Sequence, residues 1–255
     1  MRDKEHISKV FERIAIYISI SLTLFMPYSR GLQEGKTGML SYYADGPDTI
    51  LISDYESSLE SKYGRAHKDP SQSWVWEPLF DFGAKIYRSH RSPAWNPFHG
   101  YGDTPFTNYS GLMFSPFRLP IYLGLTNNST WTHYAALIFA SIFTYEQCKN
   151  WRWHNLSAFA SAVTFSMSQF VTLDRLPSTE SILTLPFLVW ASHLIIEEAS
   201  IISSLAYGVA IAITALSGHP EPSLLCIVAS LAYIAFATIN TTTKKHLNKR
   251  LFVVI

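Results

Sequence analysis

The stretch Ile201-Ile-Ser-Ser-Leu-Ala-Tyr-Gly-Val-Ala-Ile-Ala-Ile-Thr-Ala-Leu-Ser-Gly-His-Pro-Glu-Pro222, followed at once by a second apolar run from Ser223 to Asn240, decides how this chain is read. Neither Ile201 to Ser217 nor Ser223 to Asn240 contains an Asp, Glu, Lys or Arg, and a Gly/Pro turn separates them. Long uncharged runs joined by brief polar punctuation are the pattern of helices that cross a bilayer. Working outward, the pattern recurs at Trp131 to Tyr145, Leu156 to Leu173 and Ser181 to Ile196, and once more near the start. Several runs are shorter than the ~20 residues an untilted span needs, a deficit that interfacial Trp and Tyr or local thinning can absorb. Trp131, Tyr145, Trp151 and Trp153 stand where such anchors belong.

The chain average hides this division. Of 255 residues, 48% are hydrophobic and 15% charged, and 18 of the 39 charged residues fall between Gly31 and Thr130 against nine between Trp131 and Asn240. The expected fold is therefore all-α: a polytopic membrane helix bundle with a large, partly helical first outer loop. Residues 1–9 form a basic cytoplasmic tail and 10–28 the first transmembrane helix, read as uncleaved because no small-residue cleavage site follows it. Residues 29–130 form the extracytoplasmic loop, 131–240 five more transmembrane helices, and 241–250 a basic cytoplasmic loop. Residues 251–255 read as the start of a seventh helix, so the chain is expected to be an N-terminal fragment of a longer protein or a truncated frame.

Orientation follows from short-loop lysine and arginine, which collect on the cytoplasmic side. If the helices alternate, the N-terminal tail, the Lys149/Arg152 loop and the loop from Lys244 to Arg250 share that side, while the short loops opposite carry only Arg175. The Glu197-Glu198 turn, also cytoplasmic, adds no basic residue. The expected location is the bacterial inner membrane, multi-pass, with a cytoplasmic N-terminus. The large loop, the turn from Asp174 to Glu180 and the turn from Gly218 to Pro222 would then open together on the outer face. A formal net charge of +1 without a concentrated basic face excludes nucleic acid as a partner. The two cysteines, Cys148 and Cys226, fall at or inside expected helices and make no disulfide framework for the loop.

Within the loop, Trp74 to Tyr87 shows roughly helical spacing of Trp74, Leu79, Phe82 and Ile86. This predicts an amphipathic helix, lying on the membrane surface or packed inside a small outer domain. From Ser110 to Leu125, Pro116 and Pro120 forbid a long spanning helix, and a dipping or interfacial segment is expected. Between these lies Trp95-Asn-Pro-Phe-His-Gly-Tyr-Gly-Asp103, aromatic and polar side chains on Pro/Gly-punctuated backbone.

Four segments together carry a resemblance: Asp69-Pro-Ser-Gln-Ser-Trp-Val-Trp-Glu-Pro78, Pro93-Ala-Trp-Asn-Pro-Phe-His-Gly-Tyr-Gly-Asp-Thr-Pro105, Ser115-Pro116 and Gly218-His-Pro-Glu221. In this order, over roughly Asp69 to Asn240, they resemble the bacterial YfhO-type membrane proteins of the GT-C superfamily of integral-membrane glycosyltransferases. The resemblance implies transfer of a sugar from a polyprenyl-phosphate donor to an extracytoplasmic glycan, lipid or protein. It also implies an outer-loop acid as base or metal-assisted activator of the acceptor, and by position Asp69 is most similar to that acid. The chain departs from the pattern in the ~40 residues between the first helix and Asp69, where Asp45, Asp48 and Asp54 are rival acids.

Such a transfer needs a base for the acceptor hydroxyl and positive or metal-supported charge for the leaving phosphate. Asp69 is the catalytic candidate, with Glu77 as a second acid; Asp69 before Pro70 also suits a helix N-cap. Trp95, Asn96, His99 and Asp103 offer aromatic faces and hydrogen-bonding groups for a sugar ring, although turn chemistry also accounts for Asn96, Gly100 and Gly102. Arg175 is placed to meet a lipid phosphate or to snorkel to the interface. His219 and Glu221, two residues apart, are too few for a metal site, so any divalent cation would need Asp69 or Asp103 to converge. His193, within a helix, is read as an interhelical hydrogen-bonder. The alternative function is a non-catalytic carrier or flippase for a lipid-linked sugar, or a truncated inactive paralogue.

Overall fold

The computed structural model describes residues 2–28, 77–89, 114–125, 129–168 and 177–241. Among the described residues every regular element is a helix: α1 (Arg2–Tyr28), α2 (Glu77–Arg88), a 3-10 turn (Pro116–Arg118), α3 (Leu119–Tyr122), α4 (Ser129–Asn150), α5 (Asn155–Ser166), α6 (Pro177–Leu183), α7 (Leu185–Glu198), α8 (Ile201–Leu216) and α9 (Pro220–Thr241). The all-α expectation holds. Two stretches, Thr179–Glu198 and Pro220–Ile239, are long and apolar enough to cross a membrane, and Ile201–Leu216 is a shorter apolar helix. The expected tail, residues 1–9, is drawn into α1 from Arg2 onward, while residues 29–76, 90–113, 126–128, 169–176 and 242–255, which include most of the expected loop and the start of the seventh helix, lie outside the described residues.

The chain divides into two compact units, one of residues 1–27, 114–117 and 133–255, the other of residues 28–113 and 118–132. In the first unit, α1 lays Ile20 and Leu24, both fully buried, along α4. Tyr134 donates its hydroxyl proton to the Ser21 carbonyl at 2.7 Å, and Tyr17 donates to Glu146, which also faces Arg13 at 3.6 Å. Tyr145, expected at a membrane interface, is instead 1% exposed and meets Tyr17 edge to face at 6.1 Å. Its ring packs well, and no interfacial role is left for it. Trp131, Trp151 and Trp153 are each roughly half exposed.

Between α4 and α5 the contact is made by small residues. Ser141 of α4 meets Ala162 and Ser166 of α5, all three buried, and small side chains of this kind allow close helix approach. The Ser141 and Ser166 hydroxyls stand 2.6 Å apart, and Ser166 also donates to the Leu137 carbonyl at 3.3 Å. The helix expected over residues 156–173 stops at Ser166, where Met167 closes the last turn on the Val163 carbonyl. Its 12 residues reach ~18 Å, short of the ~30 Å hydrocarbon core.

A single apolar helix is expected over residues 181–196, but the structure breaks it at Thr184, between α6 and α7. Pro186 is the cause, since it has no N–H to give the carbonyl of Ile182 and its ring crowds the preceding turn. Thr184 repairs the break with its hydroxyl, bonded to the Ser181 carbonyl at 2.6 Å and to the Thr214 hydroxyl of α8 at 2.8 Å. Around this point α7, α8 and α9 share a core of Phe187, Leu188, Ala191, Tyr207, Ala210 and Ile234. A Tyr207–Ser230 hydroxyl pair at 2.8 Å joins α8 to α9.

Phe117 is held against this unit by Phe139, ring centroids 5.3 Å apart, and Phe139 in turn meets Phe187 at 5.2 Å. Hydroxyl side chains share the interior with the apolar core, and large apolar side chains also face outward. Ser141, Thr184, Ser192, Thr214 and Ser230 are fully buried, whereas Ile201, Ile202 and Leu205 of α8 and Leu224, Phe236 and Ile239 of α9 are more than 60% exposed.

In the second unit, α2 packs on α3 through Ala84, Ile121 and Tyr122. Tyr87 stacks on Tyr122 at 4.7 Å, and Arg88 donates to the Ile121 carbonyl at 2.8 Å. Of the two placements expected for the amphipathic helix, packing against neighbouring chain is therefore seen. Gly124 ends α3 at φ 76°, a left-handed conformation that suits glycine.

Candidate functional site

Most of the sequence-derived candidates, Asp69, Trp95, Asn96, His99, Asp103 and Arg175, lie outside the described residues. Glu77 is the first residue of α2, with its side chain outside the described set. His219 and Glu221 are described, and they stand in a polar cluster at one end of the first unit.

That cluster is built by helix ends. Pro220 opens α9, where its missing N–H costs nothing, and Glu221 follows in the first turn, the favourable end of the helix dipole. His219 precedes the helix, half-buried, and its carbonyl accepts the backbone N–H of Ser223 at 3.2 Å and the Ser223 hydroxyl at 2.9 Å. Glu221 is exposed. The Ser181 hydroxyl of α6 also reaches the His219 carbonyl, at 3.4 Å, and Ser223 donates to Ser181 at 2.9 Å. The turn from Gly218 to Pro222 is thus tied to α6 through buried hydroxyls.

One residue earlier, Glu180 is 2% exposed and accepts a hydrogen bond from the Ser115 hydroxyl at 3.2 Å. Ser115 is itself fully buried. Burying a carboxylate costs several kcal/mol unless hydrogen bonds or opposite charge compensate, so buried acids in apolar bundles mark sites rather than filler. Two of the segments that carry the family resemblance, Ser115-Pro116 and Gly218-His-Pro-Glu221, meet on adjacent residues of one short helix, Glu180 and Ser181.

Sequence reasoning assigned nothing to Glu180. The available signal was an acid three residues after Pro177 in a segment otherwise made of hydroxyls and aliphatics. Its hydrogen-bond partner Ser115 lies 65 positions away. His193 behaves as expected, its Nδ1 3.3 Å from the Tyr233 hydroxyl across α7 and α9.

Among the described residues no group of three or more His, Cys, Asp or Glu could hold a metal ion. His219 and Glu221 alone do not fit a divalent cation, and no step is assigned to one. Cys148 and Cys226 are buried free thiols. No family model matches the chain, nor does any curated protein or solved structure.

Proposed function

We propose that the protein is an integral-membrane glycosyltransferase of the YfhO type, within the GT-C superfamily, moving a sugar from a polyprenyl-phosphate donor to an acceptor outside the cytoplasm. In this reading it is a multi-pass protein of the bacterial inner membrane with its N-terminus in the cytoplasm. The observation that carries the proposal is the meeting of Ser115-Pro116 with the Gly218 to Glu221 turn on α6, since these motifs are 102 positions apart by residue number (218 − 116) and share no local reason to converge. Buried hydroxyls beside exposed Ile, Leu and Phe support the membrane setting, because lipid tails solvate those side chains and leave interhelical hydrogen bonds as the cohesive contacts.

Asp69 acts as the base that takes the acceptor proton, and Glu77 stands near it in sequence. Trp95, Asn96, His99 and Asp103 hold the sugar by ring stacking and hydrogen bonds, and Arg175, with His219 and Glu221 at the rim, meets the phosphate end of the donor. The break at Thr184 favours a second reading, a carrier for a lipid-linked sugar, because interrupted helices line many transport sites. Its hydroxyl is already bonded to Ser181 and Thr214, which favours the enzyme.

The test is transfer from a polyprenyl-phosphate sugar in proteoliposomes, comparing the wild-type chain with Asp69→Asn. A loss of ~10²-fold or more is expected for a general base; undiminished transfer removes Asp69 from the mechanism. Movement of the lipid-linked sugar across the bilayer without transfer would establish the carrier instead.

A further inference from the structure

We infer that Glu180 is a positioning residue of this site: its buried side chain clamps the Ser115-Pro116 segment against α6, the helix to which the Gly218 to Glu221 segment is hydrogen-bonded. The inference rests on the glycosyl-transfer reading for its catalytic consequence, but the clamp is a property of the fold.

The geometry is a two-sided grip by neighbouring residues. Glu180 accepts a hydrogen bond from the Ser115 hydroxyl on one side of α6, while Ser181 and Ser223 join α6 to the His219 carbonyl on the other. Both grips are sealed from water, with Ser115 and Ser181 fully buried and Ser223 3% exposed. A buried acceptor shut away from water is costly to leave without its donor. Next to the clamp, Phe117 is fixed by Phe139, so the segment is held at two points two residues apart. A segment of two or three residues with no regular backbone ladder has few other means of keeping one place. Seven residues of helix suffice because α6 continues, after the Thr184 break, into the buried helix α7.

What the clamp needs is an acceptor at this position, which the Glu180 side chain supplies. A displacement of about 1 Å in a segment lining a reactive site costs ~10²-fold in rate, so the clamp acts on turnover rather than on donor capture.

Hydrogen–deuterium exchange of the full chain in nanodiscs tests the clamp, with Glu180→Ala, Glu180→Gln and Ser115→Ala compared with wild type. Exchange at the amides of residues 114, 115 and 117 is expected to rise roughly tenfold or more in Glu180→Ala and Ser115→Ala. It should stay near wild type in Glu180→Gln, which keeps an acceptor of the same shape, and α8 and α9 should be unaffected in all three. No rise at residues 114–117 in Glu180→Ala, or wild-type exchange in Ser115→Ala, overturns the clamp.

The second readout is transfer from undecaprenyl-phosphate glucose in proteoliposomes. Glu180→Ala should lower kcat with KM unchanged, and Glu180→Gln should restore it. A raised KM with intact kcat overturns a positioning role in favour of direct donor binding. If the wild type transfers nothing from polyprenyl-phosphate donors, the enzyme reading fails while the exchange result still decides the clamp.

Discussion

The Ser223 hydroxyl of α9 lies 2.9 Å from the Ser181 hydroxyl of α6, both side chains buried, and this contact ties the helix before the Thr184 break to the start of the last described helix. Two oxygens that close place the Cβ atoms within reach of a disulfide. The double substitution Ser181→Cys and Ser223→Cys, with Cys148 and Cys226 replaced by alanine, should oxidise readily and resist maleimide until reduced. Persistent free thiols at both positions under a mild oxidant would refute the contact. Cys226 must be removed first, because its sulfur sits 3.9 Å from the Ser181 carbonyl.

Ala199 follows α7 at φ 42°, ψ 48°, a left-handed conformation that costs an L-residue with a Cβ about 1–2 kcal/mol. Ala199→Gly removes that strain, offset in part by the greater freedom of glycine in the unfolded chain. A net gain of about 0.5–1 kcal/mol is expected, read as a higher Tm of the purified protein. In contrast, Ser200→Ala breaks the reciprocal cap with Ser203 and should cost ~1 kcal/mol.

The α4–α5 crossing depends on side chains no larger than serine. Ala162 is fully exclusive of solvent there and its carbonyl accepts from Ser141 at 3.4 Å. Ala162→Leu forces the helices apart and should cost ~1–3 kcal/mol, whereas Ser141→Ala, which loses only the hydrogen bonds, should cost ~1 kcal/mol or less. Thermal unfolding of both variants separates the two; equal effects would show that packing does not limit the crossing.

Tyr87 supplies the pH test. Burial against Tyr122 pushes its hydroxyl above the ordinary value of 10.0. The folded unit therefore keeps this proton after the unfolded chain has begun to lose it, and stability falls as pH rises from 10.0 toward the folded value. Below 10.0 the contribution is fully present. Tyr87→Phe should flatten this alkaline loss in urea titrations of the α2–α3 unit while keeping the stack; an unchanged slope would assign the loss to another group.

Hydropathy is a local property, so α1, α4, α8 and α9 were legible from residue order alone, whereas the turn expected from Gly218 to Pro222 is shorter because α9 already begins at Pro220. The uncharged runs had to be helices because every backbone group in an apolar setting needs a partner within its own segment. The helical period from Leu79 to Ile86 likewise announced α2. Pro186 could have foretold the break at Thr184, yet its apolar neighbours masked it.

Tertiary structure decided the rest. The close fit of Ser141 and Ser166 and the closed turn at Met167 mark where α5 ends, and Tyr17 drew Tyr145 away from an interface into the bundle. Glu180 is the plainest case. In sequence it closes the turn expected from Asp174 to Glu180, whereas in the fold it lies in α6, 2% exposed, and accepts a hydrogen bond from Ser115, 65 positions away. Which segments are helical follows from short-range patterning, but which polar groups are shut away with one another depends on long-range contacts that no local pattern encodes. The end of the bundle where Ser115, Glu180 and the His219 turn meet was therefore visible only once the chain had folded.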